Sequence, residues 1–335
     1  MTLTVSLVSR MLSVQVSDRR MSAPGGRLVN DRANKAIVVA CADALFSITF
    51  AGWGVIGRKR VDLALAEHLN DLGATELHME DVVSLIAQKA AEMFAVLRPD
   101  ERHHGFTIAG YQTANSKSEP RLLTLTNLTN GGFAAPALDR FERRDYHRRD
   151  EALLMLATGS GAAAITRGDR TRLEARLRTV FARGALTHTS ISDIERGIVT
   201  LVRSAADRAR GTVGKDCMSI AITPFGDARA LYYGQRQANP RSYGPLCLWS
   251  AGGRNMLVGD IELLSGAGYS IVVGGNPSAF RLLVGSSDAQ RSAPPVESFT
   301  SMLFRTTNST LGTPIEEVTV IGSAEGIVIR DGERT

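Results

Sequence analysis

Apolar and polar residues alternate strictly at the start of the chain. In TLTVSLVSRMLSVQVSDRR, Leu3, Val5 and Leu7 alternate with Thr4 and Ser6, and Leu12, Val14 and Val16 alternate with Ser13, Gln15 and Ser17. A period of two marks a half-buried hairpin, with Ser9, Arg10 and Met11 as its turn. Past the breaker Pro24-Gly25-Gly26, strands are predicted over 36–40 and 45–50, and Gly52 and Gly54 end that pattern. Helical spacing follows. Leu63, Leu65, Ala66 and Leu69 share a face over 57–71, with Gly73 at the C-terminal cap position. Val82, Val83, Ile86, Ala90, Met93 and Leu97 do the same over 79–97, before Pro99.

Strand patterns resume over 106–109, 121–126 and 153–157. Gly159-Ser160-Gly161 opens a helical zone reaching about 183. A further helix is predicted over 193–208, with Ser192 and Glu195 as a capping box. Strands over 218–222 and 228–233 close this part. Strands, two helices, strands, two helices, strands is not the alternation of a parallel doubly wound sheet. It suits an α+β architecture in four layers, with two antiparallel sheets sandwiched between helix layers. Residues 236–335 differ: short strand patterns at 246–249, 256–264, 270–273, 280–284, 301–305 and 318–321 are separated mostly by Gly. Two units are therefore expected, a domain over 2–235 and a β-rich extension over 236–335 with no assignable chemistry.

Composition narrows the class. The 335 residues are 44% hydrophobic and 22% charged, as in a soluble globular protein. No apolar run approaches the roughly 20 residues that span a bilayer, and no secretory signal pattern opens the chain, so a cytosolic location is expected. Cys41, Cys217 and Cys247 are odd in number and far apart, which suggests reduced thiols. The densest basic stretch, RFERRDYHRR at 140–149, is interrupted by acids and reads as solvated surface before it reads as a nucleic-acid contact. His103-His104 lack the helical spacing and third partner of a metal site, so no metal and no cofactor are expected.

Candidate chemistry lies at Thr2. With residue 1 removed, Thr2 carries an amine and a hydroxyl on one residue. A terminal amine has an ordinary pKa of about 7.7–8.0 and is partly unprotonated near neutrality. It then serves as a base for its own side chain, which makes Thr2 a self-contained nucleophile. The plain alternative is an exposed first residue.

Other short motifs fall in a fixed order along the chain: Asp18-x-Arg20 after the second strand, Lys35 opening the third, and Ala51-Gly52 after the fourth. They continue with Ala109-Gly110-Tyr111 before Pro120–Leu123, Ser160-Gly161 after a strand, and Asp216-x-x-Ser219 leading into a late strand. In these residues and their order the chain resembles the proteasome β-subunit family, including the HslV-type and Anbu-type peptidases, which are N-terminal nucleophile hydrolases. The resemblance covers about 2–233. It implies a threonine-type peptidase working through an acyl-enzyme, on a peptide or protein substrate, in a homo-oligomer that in relatives is ring-like. Thr2 is then the nucleophile, and Lys35, held by Asp18, disfavours a protonated Thr2 amine. The Gly52 amide supports the oxyanion, and Ser160, Asp216 and Ser219 support the amine, with Arg20 in a supporting role. Met21 and Phe50 are placed to line a substrate pocket. Each has an ordinary reading as well: Lys35 on the surface, Asp18 with Arg20 as a turn-side ion pair, Gly52 at a helix start. Ser160 could be a helix cap, Asp216 a turn residue, and Met21 and Phe50 core. A scaffold of the same fold without turnover is the rival function. Leu3 beside the nucleophile, the 143–150 insertion and the C-terminal extension depart from the family's pattern.

Overall fold

The computed structural model describes residues 2–22, 28–30, 33–115, 117–129, 135–146, 153–181, 186–209, 212–226, 228–236, 240–242, 245–251, 254–258, 269–273, 280–284, 318–323 and 326–331. The chain opens with β1 (Thr4–Ser9) and β2 (Ser13–Asp18), then a short ribbon of β3 (Met21–Ser22) and β4 (Leu28–Asn30). Next come β5 (Ala36–Ala40), β6 (Ala44–Ala51) and a second ribbon, β7 (Val55–Ile56) with β8 (Lys59–Arg60). Helices α1 (Val61–Asp71) and α2 (Met79–Phe94) lead to β9 (Gly105–Ala114), β10 (Lys117–Thr126), β11 (Glu142–Asp145) and β12 (Leu153–Thr158). Helices α3 (Arg167–Phe181) and α4 (His188–Arg208) precede β13 (Cys217–Ile222), β14 (Ala228–Tyr233), β15 (Arg241–Ser242), β16 (Leu246–Ala251) and β17 (Arg254–Val258).

Two large sheets result. The first is ordered β12-β1-β2-β13-β14-β15, and the second β11-β10-β9-β6-β5-β16-β17. Helices α3 and α4 pack on the first sheet through Leu173, Leu177, Ile194, Ile198 and Val202, against Val5, Leu7, Val14 and Val16. Helices α1 and α2 cover the second through Leu65, Leu69, Val82 and Ile86, against Ile37, Val39, Phe46 and Ile48. Met218, Ile220, Ile222, Ala36, Val38 and Cys247 fill the space between the sheets. The fold is a four-layer α+β sandwich, as the order of patterns predicts.

The differences are informative. The first hairpin is buried on both faces, not one. Its polar residues meet the second sheet, where Gln15 donates to Ser6 Oγ at 3.0 Å and accepts from Ser47 Oγ at 2.6 Å. Hydrogen bonding of this kind is what lets polar side chains occupy an interior. Strands β9 and β10 run past Gly110 and Pro120, beyond the 106–109 and 121–126 expected from the pattern. A Cβ on Gly110 would lie 2.3 Å from the Leu45 carbonyl oxygen, so glycine permits close strand approach. Pro120 pairs with Tyr111 in β9, while β11 reaches only Leu123–Thr126, so no donor is needed on the proline's other side.

The capping box at Ser192 and Glu195 is absent, because α4 starts at His188 under a Thr187 cap and places Glu195 inside the helix. Part of 236–335 joins the second sheet. Strand β16 pairs in parallel with β5, an edge that would otherwise stand unpaired, and β17 pairs with β16. Leu246 and Leu248 join the α1/α2 core and Cys247 the inter-sheet core. A further sheet of four strands holds β18 (Tyr269–Val273), β19 (Phe280–Val284), β20 (Val318–Ser323) and β21 (Gly326–Asp331) in the order β18-β19-β21-β20. The strand expected over 301–305 lies outside the described residues. Among the described residues, no helix is long and apolar enough to cross a membrane.

Candidate active site

Asp18 organises the start of the chain. Its Oδ1 accepts from the Leu3 amide at 2.8 Å, and its Oδ2 accepts from the Arg20 amide at 3.1 Å and the Gly214 amide at 3.0 Å. The carboxylate thus ends β2, fixes the residue after Thr2, and ties both to the segment before β13. Lys35 enters from the second sheet, just ahead of β5. Its Nζ donates to Thr2 Oγ1 at 3.0 Å and lies 3.3 Å from Asp18 Oδ1. All three side chains are buried, with Lys35 1% and Asp18 0% exposed. Burial pushes the Lys35 ammonium below the usual lysine range, while the Asp18 carboxylate pulls in the other direction.

The Thr2 carbonyl is held from the opposite side. The Gly161 amide donates to it at 3.2 Å, and a Cβ on Gly159 would lie 2.2 Å from its oxygen and 3.1 Å from Ala51 Cβ. Gly159 has φ +90°, a conformation side chains disfavour. Ser160 sits between these glycines, and its hydroxyl makes no hydrogen bond among the described residues. Gly52, next to Ala51, has φ +130°, and a Cβ there would meet His104 Nδ1 at 2.4 Å. The motifs at Thr2, Asp18, Lys35, Ala51-Gly52 and Ser160-Gly161 therefore converge on one end of the inter-sheet space.

The later motif does not converge with them through its side chains. The Asp216 carbonyl accepts from the Arg19 amide at 2.9 Å, but its carboxylate accepts from Tyr232 Oη at 2.9 Å and the Gln235 amide at 2.6 Å. Ser219 faces the helix layer, because alternate residues of β13 do, and donates to Glu195 Oε1 at 2.8 Å. Glu195 also pairs with Arg229 and accepts from Tyr233 Oη at 3.2 Å. Ser219→Ala is expected to cost about 1–3 kcal/mol of stability by unbalancing this buried carboxylate, with kcat preserved; denaturant unfolding beside initial rates checks it. Met21 and Phe50 are core side chains, each 3% exposed, in the layer beneath α1 and α2. The contact of Arg20 with Asp18 runs through its backbone amide.

His104 lies in the core. It is buried among Phe50, Phe94, Phe106 and Phe141, and neither ring nitrogen has a hydrogen-bond partner among the described residues. Burial pushes its pKa down to about 3 from 6.5. Between those values the unfolded chain carries a proton that the folded chain refuses. Stability is therefore complete above pH 6.5 and falls as pH drops toward 3, by an amount on the order of 5 kcal/mol at 1.36 kcal/mol per unit. Urea unfolding at stepped pH should show this slope, and His104→Phe should flatten it. Among the described residues, no group of three His, Cys, Asp or Glu side chains could hold a metal ion.

No family model matches the chain, and no curated protein matches it. Solved structures similar to it include a Gly-1 mutant of Anbu from Hyphomicrobium sp. strain MC1, 13% identical with a TM-score of 0.43, covering 70% of this chain and 89% of that one. Anbu from Yersinia bercovieri, described as an ancestral beta-subunit, is 12% identical with a TM-score of 0.38, covering 66% of this chain and 81% of that one. HslV from Trypanosoma brucei is 17% identical with a TM-score of 0.33, covering 66% of this chain and 99% of that one.

Proposed function

We propose that this chain is a threonine-type amidohydrolase of the N-terminal nucleophile kind, a peptidase acting through an acyl-enzyme on Thr2. The observation that carries the reading is the buried Lys35 ammonium, 3.0 Å from Thr2 Oγ1 and 3.3 Å from Asp18. A cation there favours the developing alkoxide and disfavours a protonated amine beside it. With residue 1 removed, the Thr2 amine takes the hydroxyl proton while Oγ1 bonds to the substrate carbonyl carbon. The proton then goes to the departing amine as the C–N bond breaks. Water repeats the sequence on the ester, releases the acid and restores the hydroxyl. The Gly52 amide is the candidate oxyanion donor, and loss of one such donor typically costs about 10²–10³ in rate. The Ser160 hydroxyl, without a hydrogen bond among the described residues, is the candidate partner for the Thr2 amine. By the family resemblance, the active form is a homo-oligomer.

A scaffold without turnover is the second reading. It is favoured by the commitment of Ser219 to Glu195 and of Asp216 to Tyr232. Pre-steady-state hydrolysis of an activated acyl substrate separates the two. A burst of about one equivalent per chain, with the acyl group on the Thr2 peptide, supports the hydrolase; no burst supports the scaffold.

A further inference from the structure

A cleft of about 330 Å³ opens between β12 of the first sheet and β9, β10 and β11 of the second. One end is formed by Ala51, Thr158 and Gly159, and Gly159 packs against the Thr2 carbonyl. From there Thr107, Thr124 and Arg144 cross the second sheet in register, one per strand. Thr107 Oγ1 lies 3.0 Å from Thr158 Oγ1, which links this row to that end. Among the described residues the lining is rich in hydroxyls, contains no carboxylate, and has Arg144 as its single charge.

Neighbouring charges along β11 are spent elsewhere. Arg143 points to the other face of the sheet, where it pairs with Glu80 and with Asp145 at 2.7 Å. Arg140 pairs with Glu142 at 3.1 Å. Arg144 is exposed and pairs with no acid among the described residues. An uncompensated guanidinium in a hydroxyl-lined cleft has the donor geometry that suits a carboxylate.

We infer that this cleft is a substrate subsite for an acidic peptide side chain, read by Arg144. The inference rests on Thr2 being the nucleophile. Adjacent strands lie about 4.8 Å apart, so Arg144 stands about 10 Å across the sheet from Thr107. An extended peptide covers that distance in about three residues. The preferred acid therefore lies at a fixed offset from the bond that is cut. Tyr146 and the threonines supply hydroxyl contacts to the peptide along the way.

The test uses the full chain and blocked alanine-rich nonapeptides in which one Glu, one Gln or one Lys is moved along the sequence. Mass spectrometry maps the cuts, and a small uncharged β-lactone labels Thr2 in parallel. Glu peptides are expected to be cut at one fixed offset from the Glu as it moves, and about five- to tenfold faster than Gln peptides at low salt. Arg144→Gln should erase the preference and Arg144→Glu should transfer it to Lys peptides, both with lactone labelling intact. Labelling of Thr2 with cuts indifferent to the Glu, or with no peptide cut, overturns the inference and leaves the nucleophile standing. No labelling of Thr2 removes the proposed function, and the subsite with it.

Discussion

Thr2→Ala is expected to lower turnover by about 10³ or more and to abolish covalent capture by an electrophile. The variant lacks the hydroxyl proposed to form the acyl-enzyme, while Asp18 and the glycines at 159 and 161 keep their backbone contacts. Effects of this size are typical when a nucleophile is deleted and binding groups remain. Stability should change by about 1 kcal/mol, because Lys35 loses one hydrogen bond but keeps its carboxylate. Thr2→Ser keeps the hydroxyl and should still be labelled. Parallel progress curves and intact-mass labelling check all three chains.

Lys35→Met is expected to act on two properties at once. Turnover should fall by about 10² or more, through loss of the cation next to the Thr2 hydroxyl. Stability should fall by about 3–5 kcal/mol, because the fully buried Asp18 carboxylate is left without its counter-ion. The backbone amides of Leu3, Arg20 and Gly214 offset part of that cost. Asp18→Asn in the same chain removes the stranded charge. The double variant should therefore recover much of the stability and none of the turnover. A double-mutant cycle run on both readouts separates the structural share of the pair from its catalytic share. If stability and turnover recover together, Lys35 serves the fold alone.

Much of the architecture is legible in the chain because its signals are local. Period-two alternation marks β1 and β2, an apolar run marks β5, and Gly73, at φ +69°, caps α1 as its position predicts. The residues near Thr2 are legible through the family resemblance, whose motifs here stand at the ends of strands. What escapes is set by contacts distant in sequence. Nothing near Leu246 announces a parallel pairing with Ile37. The neighbours of His104 give no hint of the aromatic box built by Phe50, Phe94, Phe106 and Phe141. Glu195 did leave a signal. It shares the apolar stripe of α4 with Ile198, Val199 and Val202, and a carboxylate on such a stripe calls for a buried cationic partner, here Arg229. Reading it as a helix cap hid that partner. It also left Ser219, which donates to Glu195, assigned to the wrong neighbourhood.

The central claim is that the working protein presents a free amine on Thr2 beside Lys35. Intact-mass and N-terminal peptide analysis of the purified, natively folded protein tests it most directly. The account expects a mature chain that begins at Thr2 and gains one acyl group on that residue when treated with an activated substrate. A native protein that retains residue 1, or that acylates elsewhere, contradicts it.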